Sequence, residues 1–309
     1  MEMSEANRFP IPGPRGALRF DEPMAKHVSW RAGGPAKVFF QPADVADLCA
    51  FLRTRPEGEP VLFVGLGSNL LVRDGGFRGA VVFTHHALTG VETEQIAGWR
   101  LGVRAGAGVP MPHLARFVAK HGGSGAEWMA GIPGTVGGAL AMNAGCYGGE
   151  TWNHVVDVET VDRAGTLHTR RTSEYEIGYR HAALRTGGEE WFVSARFAFR
   201  PGDEAQAMAA MKTLLSRRVA TQPVNQPNAG SVFRNPPGDH AARLIESCGL
   251  KGYTVGGAQV SPKHANFIVN LGTASAADLE SVIDHVQAEV FAKTGVELVR
   301  EVRIVGDPT

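Results

Sequence analysis

Residues 131–149 read GIPGTVGGALAMNAGCYGG, with seven glycines in nineteen residues and no charged side chain. Ordering glycine costs more backbone entropy than ordering any other residue, so such a run needs a reason. A flexible linker is the plain one, but linkers are polar and Gly/Ser-rich. Here Ile132, Val136, Leu140 and Met142 interleave with the glycines, and Pro133 stiffens the chain. The run therefore reads as an ordered ribbon whose main chain lies close against a flat ligand, with N–H groups turned to phosphate oxygens; a structural turn is the alternative.

A second glycine stretch, VGLGSNLLV (64–72), leads from the apolar run VLFV (61–64) through the turn GLGSN into a second apolar run, LLV. A strand that runs into Gly65, Gly67, Ser68 and Asn69 clusters backbone N–H groups beside a hydroxyl and an amide, which suits a phosphate; a tight turn is the alternative. No lysine follows at Walker spacing, and Leu70 stands where a GxGxxG fingerprint needs glycine.

The rest of the chain sets the frame. At 309 residues it exceeds the length one core usually serves, so two or three units are expected. Its 39 glycines, about 13% of the chain against roughly 7% in general, belong to turns and loops, because no repeat or low-complexity run accounts for them. Zero formal net charge and the lack of a basic run speak against nucleic-acid and membrane partners. With no signal-like or membrane-length apolar segment, the expected location is cytoplasmic. Cys49, Cys146 and Cys248 are too scattered for a disulfide framework or a zinc site, and the histidines show no metal-binding spacing.

Periodicity places the elements. Residues 1–20 read as a loose lead-in. PADVADLCAFLRTR puts Val45, Leu48, Phe51 and Leu52 on one helical face. With the strands VLFV and AVVF (80–83), it suggests an α/β unit. WRLGVRAGAGV (99–109) alternates as a strand and PMPHLARFVAKHG follows as a helix; VVDVETVD, TLHTRR and WFVSARFAF are strands. Asp203 opens a long helix whose Met208, Met211 and Leu215 predict a core stripe. QPVNQPNAG (222–230) breaks the pattern and marks the main boundary. Beyond it a helix runs from Asp239 to Gly249, ANFIVNL is a strand, Ser275 caps a helix ending at Gly295, and ELVREVRIV closes the chain as a strand.

Taken in order, SWRAGGPA (29–36), GLGSNLLV, AGIPGTVGGALAMNAGCYG, NAGSVFRNP (228–236), GLKGYTVGGAQVSPKHANFIVN (249–270) and REVRIVG (300–306) resemble the UDP-N-acetylenolpyruvoylglucosamine reductase family. The resemblance implies an α+β fold: a two-part FAD-binding domain of the PCMH/VAO-like kind (21–90 and 91–221) and a smaller C-terminal α+β substrate domain (222–309). It implies FAD as cofactor, NADPH as hydride donor, and reduction of the enolpyruvyl ether of UDP-N-acetylglucosamine to UDP-N-acetylmuramate in peptidoglycan synthesis. FAD would lie along Gly65, Gly67, Ser68, Asn69 and Leu70, then Gly131, Ile132, Pro133, Gly134, Gly137 and Gly138, and finally Asn143, Ala144 and Gly145.

That reaction places negative charge on the substrate carboxylate and protonates the neighbouring carbon, so it needs hydrogen-bond donors aimed at the first and an acid at the second. By the resemblance, Arg180 in IGYRHAAL polarises the carboxylate, Ser231 donates the proton and Glu301 assists at the carboxylate end. Taken alone they read as a strand-end arginine, a turn serine and half of a cross-strand ion pair, Glu301 sharing a strand face with Val299, Arg303 and Val305. Asn235, Arg218, Gln222, Lys263 and His264 fall where the family binds substrate. The chain departs from the pattern after Arg180, where His-Ala-Ala stands in place of a serine two residues on. The short stretch from Arg180 to Trp191 matches the shorter class, which lacks a tyrosine-bearing loop over the substrate. Two rivals stay open: another FAD-dependent oxidase of the same superfamily, and a non-catalytic nucleotide-sugar binding protein.

Overall fold

The computed structural model describes residues 13–309 apart from Ala97 and Trp99. Residues 1–12 of the expected lead-in lie outside the described residues. The first strand, β1 (Ala17–Pro23), begins inside the segment expected to be loose.

β1 pairs antiparallel with β2 (Pro35–Gln41). Helix α1 (Val45–Arg53) then crosses over to β3 (Val61–Val64), and β5 (Phe77–Phe83) lies between β2 and β3, parallel to both. Asp44 starts α1 by accepting from Asp47 N at 2.8 Å. The inner strands are buried on both faces, as a parallel pair requires: Phe39 and Val81 point into one core, Val38, Phe40, Ala80 and Val82 into another with Leu48 and Leu52 of α1.

The second unit is an antiparallel sheet of β6 (Val91–Ile96), β7 (Arg100–Gly106), β11 (Val155–Asp162), β12 (Leu167–Arg171) and β15 (Glu190–Pro201), in the order β12-β11-β15-β7-β6; β8 (Gly123–Ser124) pairs with the end of β15. Its inner face carries Val103, Val158, Ala195 and Phe197 beneath α2 (Met111–Lys120) and α3 (Val136–Ala141). The glycine ribbon thus contains a short helix, followed by β9 (Gly145–Cys146) and β10 (Gly149–Glu150) as a small hairpin. A second hairpin joins β13 (Tyr175–Gly178) to β14 (His181–Leu184), and only residues 185–189 separate it from β15.

Helix α4 (Glu204–Thr221) corrects the expectation of a methionine core stripe. Met211 is buried with Ala207, but Met208 is exposed and Leu215 only half-buried. The helix packs chiefly on the turn Glu127–Gly131 and more lightly on α2, so only one narrow edge is covered and most of its surface meets solvent.

After the break at 222–230 come α5 (Ala241–Ser247), the sheet β16 (Thr254–Val255), β17 (Ala258–Val260) and β18 (Ile268–Asn270), and α6 (Ala276–Thr294). α5 starts two residues later than expected, with Asn235 Oδ1 accepting from Ala241 N at 3.1 Å. Ser275 and Asp278 form a capping box on α6, and Gly295 ends it at φ 71°. Leu279, Val282, Val286 and Val290 fill the core beneath.

The closing strand is shorter than ELVREVRIV suggests: only β19 (Arg303–Val305) is a strand, because its partner β4 (Leu70–Val72) is three residues long. That parallel pairing carries the C-terminus back beside the GLGSN loop. Three further contacts join the first and last units. Trp30 Nε1 donates to Ile268 O (2.8 Å), Asn270 Nδ2 to Trp30 O (2.8 Å) and Ser29 Oγ to Asn228 O (2.6 Å). The SWRAGGPA motif is one of the joints between them.

Candidate active site

A cavity of about 300 Å³ opens where the three units meet. Both glycine stretches line it. β3 delivers Gly65, Gly67, Ser68, Asn69 and Leu70 to one wall, and the ribbon delivers Gly131, Ile132, Pro133 and Gly134 to another, with Gly138, Ala144 and Gly145 beyond. A Cβ on Gly134 or Gly138 would meet nothing closer than 3.6 Å, so these residues leave open wall. Gly67, at φ 60°, presses against His27 O and could not carry a side chain.

The polar residues arrive from distant parts of the chain. Arg180 sits in the turn between β13 and β14 at φ 54°, a left-handed conformation that costs a non-glycine residue about 1 kcal/mol or more. Its Nε donates to Glu301 Oε1 at 2.8 Å and its Nη2 to Gly145 O at 2.8 Å. Both side chains of the pair are largely buried, 17% and 14% exposed. Burial pushes the Glu301 carboxyl above the usual range, and the Arg180 charge opposes that shift.

Ser231 lines the same cavity in a loop pinned on both sides. Before it, Gly230 takes φ 73° and donates to Asn228 Oδ1 at 2.9 Å; after it, Phe233 N donates to Asn266 Oδ1 and Asn266 Nδ2 to Phe233 O. Glu301 N donates to Val232 O at 2.7 Å, which seats the serine loop directly beside the glutamate strand. Asn69 completes the link: its Nδ2 donates to Glu301 O and its carbonyl accepts from Arg303 N, both at 3.1 Å.

Arg218 and Gln222 reach the cavity from the end of α4, joined by a 3.1 Å bond from Arg218 Nε to Gln222 Oε1. Burial lowers the pKa of Arg218, and the neighbouring Tyr147 and Cys146 oppose that shift. Arg303, which the patterns did not single out, also lines the wall. Alternation had put it on Glu301's face of the strand, and that was the available signal. Three arginines against one glutamate make the lining cationic.

Five expected residues do not line it. Asn143, wholly buried at φ 39°, spends its amide on Glu150 Oε2, Gly178 O and Trp152 N, bracing the ribbon against the β13–β14 hairpin. Gly137 packs on Ala107. Asn235 caps α5, and Lys263 donates to Val219 O at the end of α4. His264 is turned toward Asn266 and the Phe267 ring.

Thr135, also missed, is the strongest sign of a ligand. It is 1% exposed, it lines the cavity, and its Oγ1 is buried without a hydrogen-bond partner. A buried orphan hydroxyl beside an uncharged main-chain cradle fits the phosphates and ring edge of a flavin dinucleotide.

Comparison with known proteins agrees with this geometry. Residues 36–170 match a family described as an FAD binding domain. Residues 222–305 match the C-terminal domain of UDP-N-acetylenolpyruvoylglucosamine reductase. The reductase named for Thiobacillus denitrificans is 55% identical, over 95% of this chain and 93% of its own. The chain belongs to the UDP-N-acetylenolpyruvoylglucosamine reductase family. A Legionella pneumophila (strain Paris) reductase is 51% identical over 95% of both chains. The crystal structure of the Thermus caldophilus reductase superposes with a TM-score of 0.77 at 31% identity, covering 94% of this chain and 98% of that one. The α+β architecture, with its FAD-binding part and reductase C-terminal domain, is thus that of the family.

Proposed function

We propose that this cavity is where the chain, an FAD- and NADPH-dependent oxidoreductase, reduces the enolpyruvyl ether of UDP-N-acetylglucosamine to UDP-N-acetylmuramate in peptidoglycan synthesis. One observation carries the assignment of the site. Arg180, Ser231 and Glu301, from three separate segments, line the same space as both glycine loops.

The GLGSN loop, the Gly131–Gly134 segment and Thr135 would hold the FAD, whose two-electron redox chemistry would link NADPH to the enolpyruvyl double bond. Arg180, oriented by Glu301 and Gly145 O, offers its remaining N–H groups to the substrate carboxylate and stabilises charge that builds there. Ser231 delivers the proton to the adjacent carbon. Arg218, Gln222 and Arg303 meet the anionic parts of the substrate. The units 21–90 and 91–221 serve the cofactor and 222–309 the substrate, although β19 hydrogen-bonds with the first unit. The short connection 185–189 supports the class without a covering tyrosine loop. A cytoplasmic location belongs to the same proposal, since both substrates are charged nucleotides that do not cross a bilayer unaided.

The test is optical. Purified protein should be yellow, should bleach with NADPH in the absence of oxygen, and should regain its colour on addition of the UDP-enolpyruvyl sugar. Recovery only with air would favour an oxidase. A colourless protein that takes up no FAD would sink the assignment.

A further inference from the structure

The Arg180–Glu301 pair has a neighbour to which no role has been given. Arg234, three residues beyond Ser231, is half-buried, and among the described residues it forms no salt bridge with a carboxylate. Its main-chain N–H donates to Val299 O at 2.8 Å, which fixes its backbone beside the glutamate segment. Its Nη2 donates to the main-chain carbonyl of Arg180 at 3.4 Å, and its Nε is buried with no partner. A cation partly withdrawn from water without a counter-ion is costly, and a hydrophobic residue would serve packing as well. The carboxylate its field reaches is that of Glu301.

We propose that Arg234 is a positioning residue for the reaction, holding the Arg180 carbonyl in its left-handed turn and adding a second positive charge beside the Glu301 segment. This rests on the role given above to the Arg180–Glu301 pair. Arg180 faces Glu301 from the hairpin and Arg234 from the serine loop, while burial works against both. Losing Arg234 would loosen the turn that aims Arg180 and let Glu301 take up a proton more readily.

The test compares wild type, R234Q, R234K and E301Q by two measurements. One is a ¹³C NMR titration of the Glu301 carboxyl, its signal identified by its loss in E301Q. The other is the stopped-flow rate of substrate reduction against pH. In R234Q the Glu301 titration and the acid limb of the rate should both move up by about one unit, so that the rate on the acid limb falls about tenfold. R234K should restore the titration but only part of the rate, because a point charge replaces the fork. Reduction of the bound flavin by NADPH should be unchanged in both. If R234Q does not fold, R234M keeps the stem's packing and takes its place. A Glu301 titration unmoved in R234Q, or equal losses in R234Q and R234K with an unmoved pH profile, would overturn the proposal. An acid limb that persists in E301Q would overturn the role of the pair itself, and the inference with it.

Discussion

A Cβ added to Gly65 would lie 2.1 Å from Thr135 Oγ1. The two glycine loops therefore meet at this point with no room for one more carbon. Gly65→Ala must push the loops apart. Such overpacking costs about 1–3 kcal/mol, and the cradle widens where the dinucleotide rests. The expected result is protein purified without yellow colour and with a lower Tm. Normal flavin content would show that the loops are not the cradle.

Thr135→Val probes the same junction with opposite signs for the two states. Without FAD, removing an orphan hydroxyl leaves stability unchanged or slightly raised. With FAD, the lost hydrogen bond should weaken binding about tenfold, the equivalent of one net bond. Flavin fluorescence titration of apoprotein gives the Kd and thermal unfolding the stability; a Kd unchanged within twofold would mean that Thr135 does not touch the cofactor.

Ser231→Ala separates the half-reactions. NADPH should still bleach the flavin at the normal rate, while reoxidation by the enolpyruvyl substrate slows by about 10²–10⁴, the usual contribution of a positioned acid. Equal slowing of both phases in a stopped-flow trace would make the serine structural.

Cys146 lines the cavity, its Sγ donating to Trp128 O at 3.2 Å, and burial raises its pKa from 9.0 to about 11. A folded-state pKa above the unfolded one contributes stability that is complete below pH 9 and is lost as pH rises toward 11. The full effect is about 2–3 kcal/mol. Cys146→Ala should therefore flatten the alkaline fall in Tm relative to wild type; Cys49, also raised by burial, leaves a remainder. Parallel Tm curves from pH 8 to 11 would contradict this.

Asp74 ties the first unit to the last. Its two oxygens accept from Ala276 N (3.0 Å) and Ala277 N (2.9 Å) at the start of α6. Asp74→Ala should cost about 1 kcal/mol, as for a lost cap. Because the joint also aligns β4 with β19, flavin retention should fall along with Tm. Denaturant unfolding with unchanged midpoint would remove Asp74 from the list of fastenings.

Much of the molecule was legible from one dimension. The caps Asp203 and Ser275, the stop at Gly295 and the alternation of the central strands depend on a few consecutive residues, and each lies where its local pattern put it. The α4 stripe failed because periodicity tells which residues share a face but not how much protein lies against it; there it is a single narrow edge.

What residues 131–149 determined unaided is that the run is ordered and not a linker, because its interleaved apolar residues must be buried and a polar linker has none to bury. Which polar groups face the cavity was decided only in three dimensions. Arg180 and Glu301 are 121 residues apart and meet because β19 pairs with β4 while the β13–β14 hairpin reaches back over the ribbon. Asn143, Asn235 and Lys263 carry equally plausible chemistry, but the same packing turns them to partners outside the cavity. A side chain's chemistry is local, whereas its direction is set by contacts that no stretch of sequence holds.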